Sequence, residues 1–275
     1  FLRQKELLDT FLEKKAITRE QYEKSLHDLK TDYIDVYQFH NPPFVPRPGD
    51  ESGLYDAMLE AQTQGKVRHI GITSHRLDIA EEAVRSGLYE TLQFPFCYLA
   101  TDKDIALVEL CREMNVGFIA MKGLSGGLLN NSAAAYGWLA QYDNVLPIWG
   151  VQRESELDEF ISYLTNPPEM TDALRSLIDN DRKELIGGFC RSCGYCMPCP
   201  QGIEIRQCAR MSQLLRRSPS AGFLNESNQA MMMNIENCLD CGQCKSRCPY
   251  GLDIPNLLRK NLADYKDILS GKIKV

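Results

Sequence analysis

Nine of the eleven cysteines of this 275-residue chain lie in its last 90 residues, at spacings suited to metal chemistry. One run reads Cys238-Leu239-Asp240-Cys241-Gly242-Gln243-Cys244-Lys245-Ser246-Arg247-Cys248-Pro249. Gaps of two, two and three residues before a proline are those with which a tight loop aims three thiolates at three corners of one [4Fe-4S] cubane. The fourth cysteine, turned away at the proline, ligates a second cluster. A structural zinc site uses two separate two-residue knuckles and has no role for a third cysteine so close behind. An earlier run reads Cys190-Arg191-Ser192-Cys193-Gly194-Tyr195-Cys196-Met197-Pro198-Cys199-Pro200, its last gap shortened to two. Both runs continue alike, as Cys199-Pro200-Gln201-Gly202-Ile203-Glu204-Ile205 and Cys248-Pro249-Tyr250-Gly251-Leu252-Asp253-Ile254. Such an internal repeat implies a pseudo-twofold module. Exchange of the fourth ligands then predicts two [4Fe-4S] clusters, one on Cys190, Cys193, Cys196 and Cys248, the other on Cys238, Cys241, Cys244 and Cys199.

Charge follows the same division. Residues 186–275 carry 12 Lys and Arg against 7 Asp and Glu, a net of +5 in a chain of −6. Two clusters with their thiolates bring about −4 and nearly cancel that excess. The basic tail therefore does not point to nucleic acid, and no aromatic-interleaved basic stripe supports such a partner. An apolar content of 44 % with 25 % charged residues is that of an ordinary globular protein. No apolar run approaches the roughly 20 residues that span a bilayer. No signal peptide is visible, and closely spaced cysteines without a leader suit a reducing cytoplasm better than a disulfide framework.

The elements that must position these cysteines are helical. Between the runs, Ile205 to Arg217 is predicted as one helix with Met211, Leu214 and Leu215 on one side, ending at Ser218-Pro219. After the second run, Leu258, Leu262, Tyr265 and Leu269 recur at steps of three and four and predict another helix. Residues 187–270 therefore resemble the α-helical ferredoxin family rather than the short β-hairpin type. Cys208 lies outside both runs and reads as a buried structural thiol. Cys97 and Cys111 sit in apolar surroundings and read as core.

The first 165 residues alternate short β-rich runs with amphipathic helices. Strands are expected at Tyr33–Phe39, Val67–Ile72, Thr91–Phe94, Val116–Met121 and Leu146–Trp149. One intervening helix carries Leu54, Met58 and Ala61 and stops at Gly65; another carries Ile105, Val108 and Cys111 and stops near Gly117. Residues 1–30 read as helix, with Leu2, Leu7, Leu8, Phe11 and Leu12, then Tyr22, Leu26 and Leu29, on the apolar side. Buried parallel strands separated by helices indicate an α/β layer, a barrel or an open sheet.

Five segments in order carry a resemblance to the aldo-keto reductases. Ser25-Leu26 with Leu29 through His40 resembles the segment around their fourth strand, and Gly65 through Ser74 their fifth. Gln93-Phe94-Pro95-Phe96 resembles their sixth, while Gly123-Leu124-Ser125-Gly126-Gly127 and Ile148-Trp149-Gly150 resemble the loops after the seventh and eighth. The resemblance, over residues 22–164, implies a (β/α)8 TIM-barrel type fold in which a nicotinamide cofactor, NAD(P), exchanges hydride with a carbonyl or alcohol substrate. It implies that His40 is catalytic, hydrogen-bonding the substrate carbonyl at the C-terminal end of its strand. It further implies cofactor-binding at Ser74, Gln93, Lys122, Gly123, Gly126, Gly127, Gly150 and Arg153, the glycines admitting backbone amides to a diphosphate. His75 stands where the family often has asparagine, and Lys122 where many members stack an aromatic ring on the nicotinamide. Glu156 stands near the place of an arginine that binds the 2′-phosphate of NADP, which a carboxylate would repel.

The family's proton-donating tyrosine, its lysine and the paired aspartate belong to three earlier βα units and have no counterpart here. Five strands do not close an eight-stranded barrel. The chain thus reads as the C-terminal part of a longer protein and is not expected to reduce carbonyls alone. The expected organisation is a partial barrel over 1–165, a linker helix over 166–186 and a dicluster ferredoxin domain, mostly α-helical, over 187–275. Its expected partners are a small carbonyl or alcohol and a redox protein, with neither nucleic acid nor membrane. Hydride carries two electrons and a cluster accepts one, so direct exchange normally needs a flavin, for which no motif is visible. Three readings follow: an iron-sulfur oxidoreductase, an electron-transfer protein with a non-catalytic barrel scaffold, or a protein with purely structural clusters.

Overall fold

Five βα units follow one another in the chain. The computed structural model describes residues 33–185 and 189–275; the helix expected within 1–30 lies outside them. Strands β1 (Ile34–His40), β2 (Val67–Thr73), β3 (Thr91–Pro95), β4 (Gly117–Met121) and β5 (Val145–Pro147) form one sheet in the order β1-β2-β3-β4-β5. Every pairing is parallel. Helices α1 (Leu54–Thr63), α2 (Leu77–Arg85), α3 (Asp102–Glu113) and α4 (Ser132–Leu139) fill the crossovers, and α5 (Glu154–Thr165) follows β5. A doubly wound sheet reverses its strand order at a switch point. Strands laid down in unbroken chain order, each returned by a helix, are the succession of a (β/α)8 barrel. Strand bounds agree with those expected to within two residues, the largest difference being the end of β5 at Pro147.

Local chemistry explains the boundaries. Helix α1 ends in a Schellman turn: Gly65 takes a left-handed φ of 72°, and the Lys66 N–H reaches the Ala61 carbonyl at 3.0 Å. Helix α3 starts on a capping box in which Thr101 and Asp104 satisfy each other's backbone N–H groups. Its stop is not Gly117 but Asn115, which takes the left-handed cap at φ 55° while the Val116 N–H bonds to the Cys111 carbonyl at 2.8 Å. Asparagine tolerates that conformation, and this lets β4 begin at once. Leu107, Val108, Leu110 and Cys111 form the buried side of α3, with Ile105 only half-buried.

Strand alternation gives the sheet two unlike faces. Ile70, Ile72, Leu92, Phe94, Phe118 and Ala120 are buried, as are Ala57, Met58 and Ala61 of α1 and Ala80, Ala83 and Val84 of α2. The other face carries two cross-strand rows. Gln38, Gly71, Thr91 and Gly117 share one register, and His40, Thr73, Gln93, Ile119 and Leu146 the next. In the first row Gln38 Nε2 donates to Thr91 Oγ1 at 3.3 Å. Gly71 lies beneath that bond, where a Cβ would stand 2.2 Å from Thr91 Oγ1 and 2.9 Å from Gln38 Cγ.

Packing divides the described residues into two compact units. One runs up to Pro95 and includes Ala100–Met121 and Tyr142–Ile148; the other comprises Phe96–Leu99, Lys122–Gln141 and Trp149–Val275. Within the second unit, α6 (Asp172–Leu185) precedes α7 (Ile205–Cys208), α8 (Met211–Arg217), α9 (Glu226–Met233), α10 (Gln243–Ser246) and α11 (Ile254–Leu269). The single helix expected over Ile205 to Arg217 is broken at Ala209 and Arg210. The physical cause is Asn261, which is buried and donates Nδ2 to the Cys208 carbonyl at 2.9 Å while accepting from Ser212 Oγ at 3.0 Å. A carbonyl satisfied from α11 has no need of the next helical turn.

The core around these helices comprises Ile203, Ile205, Met211, Leu215, Ile254, Leu258 and Tyr265, together with Cys208. On α11 the buried edge is completed by Ile268, whereas Leu269 faces solvent. Cys208 and Cys111 are buried as expected, but Cys97 is only half-buried. Among the described residues no helix is long and apolar enough to cross a membrane.

Two predictions follow from this packing. Gly71→Ala should destabilise the sheet by about 1–3 kcal/mol, because the added methyl must displace Thr91 and Gln38, read as a lower urea midpoint. Burial pushes the Cys208 thiol up to about 12, so at pH 8 only about one molecule in ten thousand carries the reactive thiolate. Iodoacetamide at pH 8 should therefore spare Cys208 in the folded chain and label it once denaturant is added, as mass spectrometry of its peptide would show.

Candidate functional site

The two cysteine runs fold into the same backbone shape. Ser192 and Asp240, each just before the second cysteine of its run, take left-handed φ of 55°, and Gly194 and Gly242, just after it, take 87° and 73°. Successive residues of opposite hand turn backbone N–H groups to one side, a concavity that receives anions such as thiolate and sulfide. Ser192 N–H already points at Cys190 Sγ, 3.4 Å away. The repeat extends past the prolines. Gly202 and Gly251 take left-handed φ of 65° and 63°, and their N–H groups bond back to the carbonyls of Cys199 and Cys248 at 2.9 and 3.2 Å. Each turn delivers the chain to a helix start, Ile205 in α7 and Ile254 in α11.

None of the eleven cysteines forms a disulfide. Cys190 and Cys193 each feel the charge of Cys248, and Cys196 feels Cys190, Cys193 and Cys248. Cys244 feels Cys238 and Cys199. The fourth cysteine of the second run thus sits with the first three of the first, and Cys199 with Cys238 and Cys244. A pocket lined by Cys199, Cys238, Cys241 and Cys244, with Pro198, Pro200 and Leu258 in its walls, gathers the second group; Cys196 also reaches its rim. Among the described residues no three His, Cys, Asp or Glu side chains are close enough to share a single metal ion.

The surroundings of the two groups differ. Cys190 and Cys196 are buried, and burial pushes both thiols up, Cys196 to about 12. Thiolates in such a place need positive charge beside them, which bound metal supplies. The protein adds some of its own. The Arg191 guanidinium lies 4.3 Å from the Tyr250 ring centroid and 5.0 Å from that of Phe189. Arg210, buried, acts on Cys190, and Lys122 acts on Cys193. The other group is more open: Cys241 and Leu239 are exposed, and Arg259, which feels Cys238, is itself paired with Asp240 at 3.0 Å. Sequence reasoning singled out none of Arg191, Arg210 or Tyr250. The left-handed positions were open to it, since Ser192 and Asp240 occupy equivalent places in the repeat.

The barrel residues fall into two sets, one in each unit. His40 and Gln93 share one cross-strand row, separated by Thr73, at the C-terminal ends of β1 and β3, where barrel enzymes place their chemistry. His40 is exposed; Gln93 is half-buried with Nε2 3.8 Å from Met121 Sδ. Ser74 follows β2, and its N–H bonds to the Gln93 carbonyl at 3.0 Å. Its buried hydroxyl accepts from the Arg76 N–H and donates to the Arg76 carbonyl, both at 3.0 Å, closing the turn into α2. The neighbouring His75 N–H bonds to Asn41 Oδ1 at 2.9 Å.

In the other unit, Lys122 takes a left-handed φ of 62° and Gly126 and Gly127 take 67° and 87°. Gly123 has a packing reason to be glycine, because a Cβ there would stand 2.8 Å from the Trp149 ring. That ring also stacks on Phe160 at 4.5 Å between centroids. Gly150 has open space around it, and Arg153 is exposed at the start of α5. Glu156 does not stand free for a ligand. Its carboxylate accepts from the N–H groups of Gln152 and Arg153 at 2.8 and 3.3 Å and caps α5.

Comparison with known proteins finds two matches along the chain. Residues 11–135 match the model of the aldo/keto reductase family, and residues 189–253 that of the 4Fe-4S dicluster domain. An uncharacterized oxidoreductase of Bacillus subtilis is 31 % identical over 115 residues, 42 % of this chain and 36 % of that protein. An NADH-specific methylglyoxal reductase of Escherichia coli is 28 % identical over 117 residues, 42 % and 35 % of the two. The chain thus spans about a third of the length of these curated relatives. Among solved structures, an aldose reductase from Giardia lamblia aligns over 66 % of this chain and 72 % of its own with 19 % identity and a TM-score of 0.49. A holo aldo-keto reductase from Bacillus halodurans aligns over 59 % and 65 % with 20 % identity and a TM-score of 0.48. One chain therefore matches the aldo/keto reductase family over 11–135 and the 4Fe-4S dicluster domain over 189–253.

Proposed function

We propose that the intact protein is an iron-sulfur oxidoreductase in which a nicotinamide-linked barrel acts on a small carbonyl or alcohol and two [4Fe-4S] clusters relay electrons. The observation that carries the cluster part is the crossed grouping of the sulfurs, Cys248 with Cys190, Cys193 and Cys196, and Cys199 with Cys238 and Cys244. A simple pair of independent metal knuckles would keep each run to itself. Cys190, Cys193, Cys196 and Cys248 would hold one cluster; Cys199, Cys238, Cys241 and Cys244 would hold the other. When bound, such clusters supply single-electron transfer at potentials tuned by charge, hydrogen bonds and exposure. The chain's own residues provide that tuning. Left-handed loops aim N–H groups at sulfur, and Arg191, Arg210 and Lys122 bring positive charge to the buried group. The open group around Cys241 presents the surface for a redox partner, in a reducing compartment such as the cytoplasm.

For the barrel, the reading rests on His40 and Gln93 sharing one row at the C-terminal strand ends. There His40 would polarise a substrate carbonyl oxygen and Gln93 would hold the nicotinamide amide. A second reading, an electron-transfer protein whose barrel is a docking scaffold, is favoured by two contacts. The Ser74 hydroxyl is spent on the Arg76 backbone, and Glu156 caps α5 where the family reads a phosphate.

Two experiments separate these readings. Anaerobic reconstitution should load about eight iron and eight sulfide per chain, and the reduced protein should show two interacting S = 1/2 signals by electron paramagnetic resonance. Cys248→Ser should remove one signal and disturb the other; zinc bound in place of iron would end the cluster reading. Titration of the intact protein with NADH and NADPH should quench protein fluorescence saturably, and Gln93→Ala should weaken that binding about tenfold, a loss of about 1.4 kcal/mol. Absence of affinity for either nucleotide would leave the scaffold.

A further inference from the structure

Arg210 is the buried charge that neither cysteine run nor barrel resemblance explains. It stands at the break between α7 and α8, only 6 % exposed. Its Nη2 donates to the Gly126 carbonyl at 2.6 Å, and the guanidinium packs over Gly126, with Nη1, Cζ and Nη2 all within 3.8 Å of where a Cβ would be. No carboxylate pairs with it in any ion pair of the described residues. Its Nε is buried and has no hydrogen-bond partner among the described residues. A guanidinium in that state is costly, since a buried donor left unsatisfied forfeits its hydration and a buried cation needs a counter-charge. The charged partner that acts on it is a cluster cysteine: Cys190 acts on Arg210, and Arg210 on Cys190. Both residues, with Gly126, belong to the same compact unit.

We infer that Arg210 is a positioning residue for the cluster of the Cys190 group: Nη2 holds the Gly126 carbonyl, and the unpartnered Nε is kept for the sulfur of that cluster. The inference rests on the cluster reading above and adds what that reading lacks, a physical link from one named cluster to the Lys122–Gly127 loop. Its electrostatic consequence has a definite sign. Reduction adds one negative charge to a cluster, and a guanidinium fixed beside it stabilises the reduced form, raising the reduction potential. The Cys199 group has no equivalent, since Arg259 at its edge is exposed and already paired with Asp240. Lysine in place of Arg210 keeps the charge but not the planar fork that reaches two acceptors at once.

The test is a dithionite titration of the reconstituted full chain, followed by electron paramagnetic resonance, comparing the parent with Arg210→Met and Arg210→Lys. Two one-electron waves are expected in the parent. In Arg210→Met one wave should move to more negative potential while the other stays, and Arg210→Lys should move the same wave by less. Unchanged waves in both variants, or equal shifts of both waves, would overturn the inference while leaving the clusters themselves established. Should Arg210→Met assemble too little cluster to titrate, Arg210→Lys and Arg210→Gln decide the matter by the same one-wave criterion. A parent chain that binds no iron would remove the cluster reading and this inference together.

Discussion

Bringing eight sulfur atoms into two groups inside a small helical module is the constraint that shapes the C-terminal part of this chain. Thiolates repel one another, and burial penalises the charged form further, as the upward push on Cys190, Cys193 and Cys196 shows. A fold that gathers them must therefore hold the loops rigidly and supply compensating donors and charge. It does so with left-handed turns that aim N–H groups inward, with helices α7 and α11 started by matching Cys-Pro-x-Gly corners, and with Arg191 and Arg210 beside the buried group. The proposed exchange of Cys199 and Cys248 between runs would make each half depend on the other.

The second compact unit is held together by arginines as well as by its apolar core. Arg217 donates to Asp181 and Glu184 at 2.8 and 2.7 Å and to the Leu128 carbonyl at 3.2 Å. The Tyr98 hydroxyl donates to the same Asp181, and Arg182 Nε reaches the Tyr98 carbonyl at 2.6 Å. Arg216 pairs with Asp264 through two hydrogen bonds. Planar guanidinium groups suit this work because one side chain can satisfy several fixed acceptors. Arg210 differs from these in having one acceptor assigned and one donor unassigned, and that difference is what connects the Gly126 loop to the sulfur chemistry.

Much of the barrel-like sheet was legible from residue patterns. Periodic apolar runs located all five strands, and Leu54, Met58 and Ala61 marked the buried side of α1. Where the reading failed, a contact distant in the chain was responsible. Asn261 breaks the helix expected over Ile205 to Arg217 from 53 residues away, and periodicity within a helix holds no trace of such a partner. The glycine loop shows the same limit. Gly123 reads as a place for a diphosphate, yet the Trp149 ring also demands it. Glu156 reads as a charge facing a ligand and serves as a helix cap.

Cysteine spacing alone pointed to iron-sulfur chemistry, in agreement with the dicluster match over 189–253, because ligand geometry is enforced over a few bonds along the backbone. The proposed pairing of sulfurs across the two runs starts from the same spacing. Strand order likewise followed from the alternation of short apolar runs with helices, a local property. Chain folding in three dimensions was needed to reveal that one sulfur group is more buried than the other, that Ser74 and Glu156 are engaged by backbone, and that Arg210 is buried on Gly126 and acts on Cys190. Burial and long-range electrostatics depend on which distant segments meet, and no spacing within a single segment encodes that.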